Sequence, residues 1–165
     1  MTTDAARPRF SEAALAEYRE ILGRYPTRRA ALMPTLWMAQ REFGWLSRPV
    51  LEYVAELMEL PLAWVTSVAS FYTMYWKEPP GRWHLQVCRN LSCQLRGAGR
   101  ISQAIENRLG IRPGGKTPDG RFSLEAVECL GSCGTAPVMQ VSNEDYHEQL
   151  DVARALALIE RLARE

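Results

Sequence analysis

The four cysteines of this chain come in two tethered pairs, CRNLSC at 88–93 and CLGSC at 129–133, with none left over. Each pair opens where a strand-like run stops. Trp83, Leu85 and Val87 alternate with His84 and Gln86 and lead directly into Cys88, a period of two that predicts a strand. FSLEAVE, 122–128, predicts a second strand ending at Cys129. Between them Leu95, Ala98, Ile101, Ile105 and Leu109 recur at helical spacing, predicting a helix over 94–109 closed by Gly110. Strand, helix, strand predicts a parallel pair joined by a crossover. Neighbouring strands lie about 5 Å apart, so both cysteine loops leave the same sheet edge and can meet around one small centre.

Downstream, VMQV and the stretch around Tyr146 are joined by Ser142-Asn143-Glu144-Asp145, which predicts a hairpin. Val152, Leu156, Ile159 and Leu162 predict a closing helix from 151. A parallel pair, an antiparallel pair and a covering helix make a thioredoxin-like core. Pro137 stands just before the third predicted strand, where such folds place a cis-proline, so the Ala136–Pro137 bond is expected to be cis.

Upstream the rhythm is helical. Ser11 is placed to cap a helix with the stripe Leu15, Tyr18, Leu22 and Tyr25, stopped by Pro26. Thr27 is expected to cap the next, with Leu32, Leu36, Ala39 and Phe43 on one side, Pro34 kinking or shortening it, and Gly44 as its stop. Ser47 with Pro49 in the first turn opens a third, carrying Leu51, Val54 and Met58. Pro61 opens a fourth, with Val65, Val68, Ala69 and Tyr72 facing the core. KEPPGR, 77–82, breaks the pattern. The expected organisation is a helical bundle over 1–79 and a thioredoxin-like domain over 80–165, an α+β or α/β chain overall.

Charge and hydropathy exclude several roles. Twenty basic against nineteen acidic residues give +1, and CRNLSCQLRGAGR is the only mildly basic stretch, so nucleic acid is not an expected partner. No run approaches the roughly 18 apolar residues that span a bilayer, so no membrane insertion is expected. MTTDAARPRF lacks an apolar signal core, so export is not expected. In a reducing compartment four cysteines point to metal or redox chemistry rather than disulfides.

The spacing is C-x4-C, 35 residues, then C-x3-C. Four thiolates match the ligand count of a [2Fe-2S] cluster, making Cys88, Cys93, Cys129 and Cys133 the candidate ligands. Cys93 falls near a predicted helix start, where backbone N–H groups favour thiolate. Gly131 and Gly134 flank Cys133 and allow close backbone approach, and Leu91, Leu95 and Leu130 are placed to exclude water. A structural zinc site uses the same soft ligands and remains open at this point. A dithiol redox site wants C-x-x-C, which neither pair offers. His84 and His147 are the only histidines; a Rieske-type centre needs both and leaves two cysteines idle, so both are expected to pack or face solvent. The aromatic run WVTSVASFYTMYW reads as core or subunit interface.

VASFYTMY, LQVCRNLSC and TPDGRFSLEAVECLGSCGTAPVMQV together resemble the E-type, or 24-kDa, component of NADH:quinone oxidoreductase, respiratory complex I. The resemblance runs through nearly the whole chain, and Cys88, Cys93, Cys129 and Cys133 fall on the family's cluster-ligand positions. It implies a thioredoxin-like ferredoxin domain holding one [2Fe-2S] cluster. It also implies a partner F subunit carrying FMN and the NADH site, a contact with a G subunit, and a place on the cytoplasmic side of the inner membrane. Related E-type subunits serve NAD-linked hydrogenases and formate dehydrogenases, which the motifs do not distinguish. A zinc-stabilised adaptor is the alternative from another class. The residues agree with a division of labour: hydride carries two electrons and iron–sulfur centres take one, so a flavin must split the pair. The glycines of RPGGKTPDG stand between a helix and a strand instead of opening a helix, so no nucleotide site is expected on this chain.

Overall fold

The computed structural model describes residues 7–165; the first six residues, part of the segment read as lacking a signal core, lie outside that range. The chain divides into two compact units, Met1–Pro79 and Pro80–Glu165.

Among its described residues the first unit holds four helices: α1 (Glu12–Arg24), α2 (Leu32–Phe43), α3 (Arg48–Met58) and α4 (Leu62–Phe71). Ser11 caps α1 by accepting from the Ala14 amide, and Tyr25, ahead of Pro26, is extended, which ends the helix. The buried face is Ala14, Tyr18 and Ile21, so the predicted stripe is rotated by about one position and Tyr25 is exposed. Thr27 caps a turn rather than α2: its Oγ1 accepts from the Ala30 amide at 3.2 Å, and α2 begins only at Leu32. Pro34 therefore sits in the first turn, where its missing N–H has no intrahelical partner to lose. Gly44 ends α2 with φ at 80°. Ser47 caps α3 through the Val50 amide, with Pro49 in the first turn. In α4 only Val65 and Ala69 are buried; Val68 is half-buried and Tyr72 reaches the surface. Phe10 stacks on Phe43 at 5.4 Å and meets Tyr53 edge-on at 5.1 Å. Buried Gln40 satisfies both ends of its amide, Nε2 donating to the Met74 carbonyl at 2.9 Å and Oε1 accepting from the Trp76 amide at 2.6 Å.

The second unit runs β1 (Trp83–Cys88), α5 (Leu91–Leu95), α6 (Ala98–Leu109), β2 (Phe122–Val127), β3 (Met139–Val141), β4 (Asp145–His147) and α7 (Val152–Leu162). The sheet order is β2-β1-β3-β4, with β1 and β2 parallel and the other neighbours antiparallel. This is the predicted thioredoxin-like arrangement. Alternate strand residues Leu85, Val87, Phe122, Leu124, Met139 and Val141 pack against Ile101 and Ile105 of α6 and Leu158, Ile159 and Leu162 of α7. Ser142 and Asn143 both take positive φ, 53° and 63°, which suits the twist of the β3–β4 hairpin.

The single helix expected over 94–109 is two helices. Gly97 has φ of 98°, a conformation that ends α5 and caps α6 from outside the helical region. Asn90 instead opens α5, its side chain accepting from the Leu91 amide at 2.7 Å. Cys93 is consequently the middle residue of a five-residue helix. The Ala136–Pro137 bond is cis, as expected.

Candidate metal centre

The parallel register brings the cysteine loops to one edge. Cys88 is the last residue of β1 and pairs with Val127, the last of β2, so Cys129 follows two residues beyond the adjoining strand end. The Cys88 amide donates to the Val138 carbonyl at 3.2 Å, anchoring the β1 terminus from its other side. After β1 the chain turns through Arg89, whose Nε donates to Glu128 at 3.0 Å and ties the two strand ends together.

The two pairs differ in environment. Cys88 and Cys93 are buried, and they pack in a small cluster with Ala98, Ala136 and Val138, against which Leu130 rests. Cys129 and Cys133 are exposed. Burial pushes the Cys93 thiol up to about 11, reinforced by its hydrogen bond with Cys88 and by the neighbouring Cys133. The Cys88 thiol donates a hydrogen bond to the Glu128 carbonyl at 3.7 Å. On the exposed side the Gly131 amide donates to Cys129 Sγ at 3.4 Å. Gly131 has φ of 75°, the conformational reason for glycine there, whereas a Cβ on Gly134 would meet no atom within 4 Å. Cys133 opens a single 3-10 turn, Cys133–Thr135.

Leu91 and Leu95 do not shield the thiols: they are 69% and 79% exposed and face outward from α5. The apolar cover comes from Ala98, Ala136, Val138 and Leu130. The histidines take the packing roles expected. His84 is buried, its Nδ1 2.7 Å from Ser123 Oγ and its Nε2 3.0 Å from Glu125. His147 is half-buried, and burial with Arg161 nearby holds its pKa below the ordinary value.

Several supports of the cysteine loops carry no local sequence signal. Arg96 Nε donates to the Ala136 carbonyl at 2.7 Å, fixing α5 to the segment ahead of Pro137. Tyr146 Oη donates to the Leu130 carbonyl at 3.1 Å. Glu148 accepts from Ser132 and Thr135, the hydroxyls on either side of Cys133. These contacts join residues far apart in the chain, so no spacing rule exposes them.

Among the described residues no three His, Cys, Asp or Glu side chains group as they would around a single metal ion. Two of the four thiols are buried and two are exposed, and Cys133 lies near enough to Cys93 to raise its pKa. A mononuclear zinc site closes four ligands on one point, whereas a binuclear iron cluster asks for two thiolates on each iron. The all-thiolate donor set and the amide on Cys129 are compatible with the second.

The chain matches the model of the thioredoxin-like [2Fe-2S] ferredoxin over residues 18–163. It is 51% identical over 144 residues to the E 2 subunit of NADH-quinone oxidoreductase from Rhizobium meliloti, covering 87% of this chain and 85% of that protein. It is 48% identical over 142 residues to NADH-quinone oxidoreductase subunit 2 from Thermus thermophilus, covering 85% of this chain and 78% of that protein. In structure it is similar to a chain of an NAD+-reducing [NiFe]-hydrogenase, with a TM-score of 0.71 and 26% identity. That alignment takes in 81% of this chain but only 23% of the hydrogenase chain.

Proposed function

Because this chain belongs to the thioredoxin-like [2Fe-2S] ferredoxin family, among the E-type subunits of NADH-quinone oxidoreductase, we propose that it holds one [2Fe-2S] cluster on Cys88, Cys93, Cys129 and Cys133 and exchanges single electrons with an FMN bound by a partner F subunit. The observation that carries this reading is the register of β1 and β2, which delivers two cysteine pairs to one edge of the sheet. A bound cluster supplies one-electron redox chemistry.

The chain's own residues supply the rest. Asn90 starts α5 so that Cys93 turns back toward Cys88. Ala98, Ala136, Val138 and Leu130 exclude water from the buried pair, which strengthens every electrostatic contact there. The Gly131 amide donates to the Cys129 sulfur, a bond that favours the thiolate over the thiol. Cys129 and Cys133, the exposed pair, form the side open to a redox partner. NADH and FMN belong to that partner, and a G subunit adjoins it. No helix among the described residues is long and apolar enough to cross a membrane. The likeness to E-type subunits of NADH-quinone oxidoreductase is what supports a peripheral place on the cytoplasmic face of a membrane-bound complex.

The hydrogenase likeness supports a second home, an NAD-linked hydrogenase module with the same division between flavin and cluster. Co-purification separates the two, since the flavin partner would arrive with either a quinone-reducing or a hydrogen-reacting assembly.

The test is metal and sulfide analysis with EPR on chain purified without oxygen, before and after dithionite. Two irons and two sulfides per chain, with a spin one-half signal only after reduction, is the expected result. One zinc per chain and no signal overturns the electron-carrier reading.

A further inference from the structure

The turn that carries Cys133 is short and exposed, with one backbone bond of its own, from the Thr135 amide to the Ser132 carbonyl at 3.2 Å. A turn so weakly closed has little reason to hold a thiol still. A segment containing no cysteine holds it instead. Strand β4 and its connector to α7 run beside the whole 130–137 loop. Tyr146 Oη donates to the Leu130 carbonyl at 3.1 Å. The Gln149 amide donates to the Thr135 carbonyl at 2.7 Å and the Leu150 amide to the Pro137 carbonyl at 3.0 Å. Gln149 takes φ of 48° to make that approach.

Glu148 stands at the centre of this strap. One carboxylate oxygen accepts from Thr135 Oγ1 at 2.6 Å and from Ser132 Oγ, and the two hydroxyls are 2.5 Å apart. Exposed loop hydroxyls ordinarily bond water; here both converge on one charged acceptor, and bonds to a carboxylate are the stronger kind. Ser132 precedes Cys133 and Thr135 follows it by two, so the contact clamps the cysteine from both sides.

We propose that Glu148 is a positioning residue for Cys133, and that residues 145–150 are a strap that presents the second cysteine pair to a metal cluster. The proposal rests on the reading of Cys133 as a ligand. Metal sites need their ligands held by outer contacts, because a ligand left loose is lost to solvent or to chelators.

The test uses the full chain with Glu148→Ala and the near-isosteric Glu148→Gln, which keeps an acceptor oxygen but not the charge. In the metal-free chain, exchange of the Thr135 and Gln149 amides is expected to be about tenfold faster in Glu148→Ala, with Glu148→Gln closer to wild type. In iron-loaded chain, Glu148→Ala should release iron to a chelator faster by a similar factor and alter the g-anisotropy of the reduced signal, and Glu148→Gln should restore the wild-type line shape. Wild-type exchange and wild-type iron release in Glu148→Ala overturn the positioning role while leaving the cluster reading intact. A wild-type chain that takes up no iron, while Glu148→Ala still loses protection, sinks the cluster reading instead and leaves the clamp on Cys133 standing.

Discussion

Cys93 shows what a single residue contributes at this site. It is buried beside Cys88, in a cluster otherwise made of alanine, valine and leucine. Serine keeps its size there but replaces a soft sulfur with a hard oxygen, which iron–sulfur chemistry tolerates poorly. Cys93→Ser is expected to lose the cluster or convert it, read as a fall in iron content and a changed visible spectrum in chain that keeps its far-ultraviolet dichroism. Unchanged iron and spectrum would count against Cys93 as a ligand. Gly81 makes the opposite kind of case. In the sequence it is one more breaker in KEPPGR, yet a Cβ there would collide with the Phe122 carbonyl carbon and lie 2.6 Å from the Ser123 amide nitrogen. Its own amide donates to Ser123 Oγ at 2.9 Å. Gly81→Ala must push β2 aside and is expected to cost about 1–3 kcal/mol, the range for overpacking. A lowered urea midpoint at unchanged slope is the readout; a wild-type midpoint would mean that the strand yields freely.

Helix α7 carries Ala155, Leu158, Ile159 and Leu162 onto the sheet, and its start depends on Asp151, whose side chain accepts from the Arg154 amide at 2.7 Å. Asp151→Ala is expected to destabilise by about 1 kcal/mol, the usual loss for a helix cap. Thr27→Ala should cost less, because Thr27 closes an isolated turn and not a helix. Comparing the two urea midpoints checks both, and an equal loss would put Thr27 back at a helix start. Elements with a strong local signature were legible in advance: the alternation from Trp83 to Val87, Ser11 and Ser47 as caps, Gly44 as a stop. What escaped was set by contacts between distant segments. The break at Gly97 interrupts an apolar stripe that continues unaltered on both sides, so periodicity alone reads one helix. Leu91 and Leu95 look like shielding because they flank Cys93 in sequence, but on a five-residue helix they fall on its outward side. The four cysteines were visible from spacing; the strap from Tyr146 to Leu150 was not, since its contacts join residues as far as 16 positions apart, which no local pattern pairs.

At the scale of the molecule, stability is bounded by groups that titrate at opposite ends of the pH range. His147 is held below its ordinary 6.5 by burial and by Arg161. Its unfolded form takes up a proton more readily than its folded form, so stability is fully present above 6.5 and declines as pH falls below that value. Three carboxylates extend the decline into acid. Glu42 is lowered by the Ser11 amide, Asp119 by the Thr117 hydroxyl and Glu148 by the Ser132 hydroxyl, so each favours the fold only while ionised. Their share is lost as pH drops below the ordinary values of 4.5 and 3.8. The alkaline limit has the other sign. Burial raises Tyr18, and it pushes Tyr75 from 10.0 up to about 12 while the Tyr75 hydroxyl donates to the Met33 carbonyl at 2.8 Å. Unfolded tyrosine ionises first, so the fold is favoured below 10.0 and loses ground as pH rises toward 12. The metal-free chain should therefore show a stability plateau between the histidine limit and an alkaline limit that Cys93, raised from 9.0 to about 11, opens and the tyrosines extend, measured as urea midpoints across pH. Tyr75→Phe should flatten the alkaline slope and His147→Gln the first step of the acid one. An alkaline slope unmoved by Tyr75→Phe would place the controlling group elsewhere in the chain.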